Sequence, residues 1–196
     1  MGHRAARPCR DALRGRAIGG ALTPSQTVGP FFGVGLPFEK GEQIVEPGSA
    51  GVIRLEGQVL DGNGEPVPDA LLEIWQPDDH GRYHGVADGE AMGFGRCRTD
   101  SEGAFSFATS KPGATPAPGG RMQAPHLNVT VFARGLLRHL VTRMYFPDET
   151  EANATDPVLN LVEPARRETL IAKTCGGVLH FDVRLQGERE TVFFAI

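Results

Sequence analysis

The stretch "PHLNVTVFARG", Pro125 to Gly135, decides the fold. Leu127, Val129 and Val131 take every second position, with His126, Asn128, Thr130 and Phe132 between them. Strict alternation over this length predicts a half-buried β-strand whose apolar face looks into a core. Period two also places His126 and Asn128 on one face, about 7 Å apart along the strand. A His there can hold a metal, and a second His two residues on would complete a pair. The second position is Asn128.

The same rhythm recurs on both sides. "VIRLEGQVL" sets Ile53, Leu55 and Val59 against Arg54, Glu56 and Gln58, and runs into the turn signal "DGNG", Asp61 to Gly64. "DALLEIWQ" is the next strand and stops at Pro77; "GAFSFAT" follows the turn residues Asp100 to Gly103. "HLVTRMYF", "VLHFDVRL" and "TVFFAI" come later in the chain. Short strands separated by Gly, Pro, Asp and Asn predict an all-β chain, an antiparallel β-sandwich or barrel with long loops and little helix. One helix is expected, "PARRETLIAK" over Pro164–Lys173, with its Pro in the first turn.

Composition agrees with this. A chain of 196 residues makes one domain with a real core. With 26 Gly and 15 Pro, turns are plentiful. No apolar run has the length of a membrane span, and a net charge of −4 argues against nucleic acid as the main partner. Cys9, Cys97 and Cys175 are odd in number, far apart and without C-x-x-C spacing. They are expected as reduced thiols in a cytoplasmic protein, with no disulfide framework and no zinc motif. The opening "MGHRAARPCRDALRGRAIGG" carries five Arg against one Asp. It lacks an apolar core for secretion, and Pro8 and its glycines spoil an amphipathic transit helix. Residues 1–22 are expected as a disordered extension, or as the product of a start codon set too early, with the folded domain over 23–196.

Four side chains invite a functional reading beside a plain one. His126 is a metal ligand or a hydrogen-bonded structural His. Tyr83, in "HGRYHG", stands in a Gly-flanked loop after a strand, where functional groups collect. Trp75 reads as core packing. Arg134 closes a strand before Gly135 and is a solvated charge or an anion clamp; its apolar neighbours suggest no local partner for the charge. His80, His84, His139 and His180 show no ligand spacing.

The order of segments then becomes informative. "TPSQTVGPFF", "GQVLDGNGEPVPDALLEIWQPDDHGRYHG", "FGRCRTDSEGAFSF", "KPG", "APHLNVTVFARG", "TRMYFPDE", "DPVLNL", "RRETLIAK" and "FDVRLQGERETVFF" follow one another. Over residues 23 to 196 the chain resembles the intradiol ring-cleavage dioxygenase family, and within it the α type of subunit. Catalytic members hold a non-haem Fe(III) through a Tyr in G-R-Y, a Tyr in K-P-G-x-Y-P-W, and the two His of H-x-H. Here Tyr83 matches the first Tyr and His126 the first His. Thr115 stands at the second Tyr position, Ala117 at the Trp position and Asn128 at the second His position. Fe(III) is a hard cation that wants anionic oxygen ligands. Thr115 and Asn128 remove one tyrosinate and one imidazole, so no metal site is expected in this chain.

The resemblance therefore implies a division of labour. A homologous β subunit would bind the Fe(III), and the two subunits would form an α–β hetero-oligomer acting on protocatechuate and O2. This chain would complete the substrate pocket with Thr27, Gly29 and Pro30 from its N-terminal segment and with Arg134, whose planar fork suits a substrate carboxylate. Phe31 brings no hydroxyl to that segment. Two other readings stay open on the sequence: an iron-independent binding or structural β-sandwich, and a self-sufficient dioxygenase with a rearranged iron site.

Overall fold

The computed structural model describes residues 29, 31–46, 48–84 and 93–195. The expected extension over 1–22, with Cys9, lies outside them, as do Thr27 and Pro30. The described residues form eleven strands: β1 Val52–Leu60, β2 Leu71–Trp75, β3 Phe94–Arg98, β4 Ala104–Ser110, β5 Thr115–Pro116, β6 Met122–Gln123, β7 His126–Phe132, β8 Leu140–Tyr145, β9 Lys173–Cys175, β10 Val178–His180 and β11 Val183–Arg184. Among the described residues helix is confined to short pieces, including α1 Phe32–Gly35 and α2 Thr150–Thr155.

Two sheets face each other. One runs β3-β2-β7-β8 and is antiparallel throughout. The other is built on β1, with β4 antiparallel on one side and β10 and β11 in succession on the other. Their inner faces share one core: Leu55, Val59, Phe105 and Phe107 from the β1 sheet meet Leu72, Ile74, Leu127, Val129, Val131 and Met144. The alternation read from the sequence is thus the alternation of burial. Leu127, Val129 and Val131 are buried, while Asn128, Thr130 and Phe132 are half-buried on the outer face. The sandwich expectation holds.

The β1 sheet contains pairings that alternation does not reveal. β1 pairs with β10 and β11 in parallel, at Leu55↔Leu179 and Val59↔Val183. "VLHFDVRL" is interrupted because the ladder changes partner atoms midway. Phe181 N–H donates to the Glu56 carbonyl at 2.9 Å, and Gln58 N–H then donates to the Asp182 side chain at 3.1 Å. Gly57 sits between them, and a Cβ there would lie 1.9 Å from the Phe181 carbonyl oxygen, so only glycine fits.

Two expectations are corrected. Pro164–Leu170 is a 3-10 helix, and the chain is extended again at Ile171. Ile171 bridges Tyr145 at the sheet edge, and that pairing ends the turn before an α-helix can form. "TVFFAI" forms no strand over 191–195, and Ile196 lies outside the described residues. Thr191 N–H donates to Arg184 while Phe194 N–H donates to Val141, so the segment is shared between two sheets and repeats no ladder with either.

Candidate functional site

The outer face of the β3-β2-β7-β8 sheet carries the positions singled out above. Register places Phe94, Trp75, Asn128 and Arg143 in one row across the four strands, with His126 opposite Tyr145 in the next row. Trp75 is therefore half-buried on this outer face rather than in the core.

Tyr83 reaches this face from a loop that the sequence builds three times. Asp61, Asp78 and Asp100 each begin a D-x-x-G turn. Each carboxylate accepts the N–H groups two and four residues on, at 2.8–2.9 Å. Each turn closes on a left-handed glycine, Gly64, Gly81 or Gly103. The Asp78 turn adds the Arg82 guanidinium and the His84 ring, whose Nε2 lies 2.9 Å from Asp78 Oδ2. The Arg82 backbone N–H, with these side chains, holds the Asp78 carboxyl well below the usual carboxylate range. Gly81 packs so closely that a Cβ would lie 1.9 Å from the Ala114 carbonyl oxygen. This contact brings the Tyr83 loop against the strand that carries Thr115.

The four positions matched to iron ligands are thus brought to one region, but as hydrogen-bonding and packing groups. Asn128 Nδ2 donates to the Tyr83 hydroxyl at 2.8 Å and to the Trp75 carbonyl at 3.2 Å. The Tyr83 ring stacks on Trp75 at 5.9 Å. Burial pushes the Tyr83 phenol up, with the Asn128 bond opposing it. Thr115 is buried and its Oγ1 has no hydrogen-bond partner among the described residues. An alcohol at this position supplies no anionic oxygen. His126 is 1% exposed, and its Nδ1 donates to the Ala124 carbonyl at 2.8 Å, which leaves the Nε2 lone pair available. One imidazole, a single phenol, an alcohol and an amide do not suit Fe(III), which wants more anionic oxygen than one phenol can supply.

Other residues that shape this face went unread in the sequence. Asp156, fully buried, accepts the Tyr145 hydroxyl and the backbone N–H groups of Ala124, Val158 and Leu159. It ties the "DPVLNL" segment to the entry of β7. Arg143 donates to Gln123 at 2.7 Å. Phe38, Phe94 and Trp75 extend the Tyr83 stack across the sheet, and Arg96 lies over Phe38 and Phe94 while paired with Glu73. The repeated D-x-x-G spacing could have exposed the Asp78 turn; nothing local marks Asp156 or Arg143.

Arg134 lies elsewhere. It stands in the turn just past the end of β7, at the opposite end of that seven-residue strand from His126, a separation on the order of 20 Å along the strand. The expectation that its charge has no local partner is corrected, because Asp69 forms an ion pair with its Nε. Gly29 is exposed, and no atom of the described residues lies within 4 Å of the position a Cβ would take there. Cys97 and Cys175 are free thiols. No helix among the described residues is long and apolar enough to cross a membrane.

The family model described as Dioxygenase matches residues 28–187. Together with the sandwich and the displaced ligand set, this places the chain in the intradiol ring-cleavage dioxygenase family, whose members depend on non-haem iron(III). Particular relatives include two alpha chains. The chain is 46% identical to the protocatechuate 3,4-dioxygenase alpha chain of Pseudomonas putida, over 88% of its own length and 95% of that chain. It is likewise 46% identical to the alpha chain of Burkholderia cepacia, over 89% and 97%. The protocatechuate 3,4-dioxygenase beta chain of Burkholderia cepacia is a more distant relative, 38% identical over 68% of this chain and 56% of that one. Among solved structures, the dioxygenase domain of a carbohydrate-binding fusion from Streptomyces sp. SirexAA-E superposes with a TM-score of 0.59. At 24% identity, over 84% of this chain and 99% of that one, it shows the fold alone.

Proposed function

We propose that this chain is the α-type, non-ligating subunit of a protocatechuate 3,4-dioxygenase. In this reading Fe(III) is held by a homologous β subunit, and the α–β hetero-oligomer works in the cytoplasm. The reaction opens protocatechuate between its two hydroxyl-bearing carbons. Both atoms of O2 are retained in the product, 3-carboxy-cis,cis-muconate.

The observation that carries the reading is the Asn128–Tyr83 hydrogen bond. It commits two of the four matched positions to each other. The position of Arg134 supports the same conclusion: a cation past the far end of β7 from His126, on the order of 20 Å away along the strand, is too distant to serve a substrate bound at the chain's own quartet. It can serve a pocket on a partner. Thr27, Gly29, Pro30 and Arg134 are proposed as this chain's contribution to that pocket. Gly and Pro let backbone approach the substrate closely, and the guanidinium meets the carboxylate that distinguishes protocatechuate from catechol. Residues 23–196 are proposed as the dioxygenase-like domain and 1–22 as an extension to it.

The test is expression of the chain alone and together with a homologous iron-binding β subunit. Alone, the chain is expected to purify without iron and without tyrosinate-to-iron absorption, even after Fe(III) is added. Co-expressed, it is expected to purify in a coloured, active complex. Stoichiometric iron and ring cleavage in the isolated chain would refute the α-type reading in favour of a rearranged iron site.

A further inference from the structure

The β2–β7 ladder runs to Leu71↔Phe132. Continued by two residues, the same register sets Asp69 directly opposite Arg134, where the carboxylate pairs with the guanidinium Nε. Both ends of this pair rest on braced backbone. The turn carrying Asp69 is tied to Thr99, whose Oγ1 accepts the Ala70 N–H at 3.0 Å and donates to the Val67 carbonyl at 2.8 Å. Thr99 N–H returns to the Ala70 carbonyl at 2.9 Å. On the other side Ala133 is fully buried, and Gly135, at φ +83°, turns the chain immediately after Arg134.

The side chains differ in exposure. Arg134 is 73% exposed and Asp69 only 22%. A long cation standing in solvent samples many rotamers, and fixing it on a ligand costs entropy. Asp69 meets the guanidinium at its Nε. Among the described residues no side chain other than Asp69 pairs with this guanidinium, and most of it stands in solvent, which leaves an Nη edge open to a ligand. That edge is the one a carboxylate takes in a two-pronged pair.

The geometry points to Asp69 as a positioning residue: it holds the Arg134 guanidinium by its inner edge so that the outer edge meets the carboxylate of an aromatic acid substrate. This rests on the preceding reading of Arg134 as the substrate-carboxylate clamp. The pair adds little to folding, since exposed ion pairs contribute little to stability. Its effect belongs in substrate affinity.

The experiment uses the assembled complex with its iron-bearing partner and compares Asp69→Ala, Asp69→Asn, Arg134→Ala and the double variant Asp69→Ala/Arg134→Ala. Asp69→Ala is expected to raise KM for protocatechuate by roughly 3- to 10-fold, the worth of one ordinary hydrogen bond, with kcat, complex mass and iron absorption unchanged. Asp69→Asn keeps an acceptor oxygen for Nε and is expected to recover most of the loss. The double variant is expected to be no worse than Arg134→Ala alone. If Arg134→Ala is impaired and Asp69→Ala matches wild type, the positioning role is wrong while the clamp stands. Equal losses on protocatechuate and catechol in Asp69→Ala would mean a merely structural pair. If Arg134→Ala itself leaves KM unchanged, the clamp fails and the positioning role falls with it.

Discussion

Asn128 Nδ2 lies 2.8 Å from the Tyr83 hydroxyl and donates to it. The two side chains come from β7 and from the loop after β2, 45 residues apart in the chain. In a catalytic member both positions would face a metal. Here they satisfy each other, and the Trp75 carbonyl takes the second amide hydrogen.

Asn128→Ala is expected to destabilise the chain by about 1–2 kcal/mol, since it leaves the phenol and the carbonyl without their donor. Trp75 is the chain's single Trp and stacks on Tyr83, so its fluorescence reports the loop directly. A changed Trp emission with a lowered urea midpoint is the expected pair of results. Unchanged emission would mean that the stack holds the loop without the amide.

Gly81→Ala is expected to cost more than about 2 kcal/mol, because a left-handed L-residue is strained by about 1–2 kcal/mol before any clash. Gly81 also meets the Ala114 carbonyl oxygen where a Cβ would go. Gly119 is the control. Its φ is likewise +76°, but no atom of the described residues lies within 4 Å of its Cβ position, so Gly119→Ala should carry the backbone strain alone. Equal urea midpoints for the two variants would contradict the close packing of the Tyr83 loop on the Thr115 strand.

His126 carries a pH dependence. Burial, reinforced by Arg143, lowers its pKa from 6.5 to about 4. As pH falls through 6.5 the unfolded chain takes up a proton that the folded chain refuses. The stability contributed by neutral His126 is therefore complete above pH 6.5 and is lost progressively towards pH 4, by roughly 3 kcal/mol in all. NMR of ring-labelled histidine should find its midpoint well below those of exposed imidazoles. A midpoint near 6.5 would show that the ring is not buried as described.

Arg134→Ala is expected to lower kcat/KM for protocatechuate by roughly 10- to 150-fold in the assembled complex, the worth of a charge-assisted hydrogen bond. Arg134→Lys should recover only part, since an ammonium lacks the planar fork and cannot meet Asp69 and a substrate carboxylate with two separate edges. Iron content and absorption should not change. Full activity of the Lys variant would reduce the role of Arg134 to its charge.

What the sequence determined by itself is local and periodic. Alternation of Leu127, Val129 and Val131 assigned the strand and its buried face, because a two-residue repeat leaves only one face to bury. The turns at Asp61 and Asp100 were legible because an Asp followed three residues later by a left-handed Gly builds its own hydrogen bonds. The ordered segments identified the family, and Thr115 and Asn128 announced a lost ligand set through chemistry alone. The tertiary structure decided whatever depends on partners distant in the chain. β1 pairs in parallel with residues more than 120 positions away, a contact that no window of sequence contains. "PARRETLIAK" became a 3-10 turn because Ile171 is held by Tyr145, and "TVFFAI" lost its ladder because two sheets share it. Arg134 looked unpartnered from its neighbours in sequence. Its partner, Asp69, lies across the sheet, and only the register of two strands 65 residues apart brings opposite charges together there.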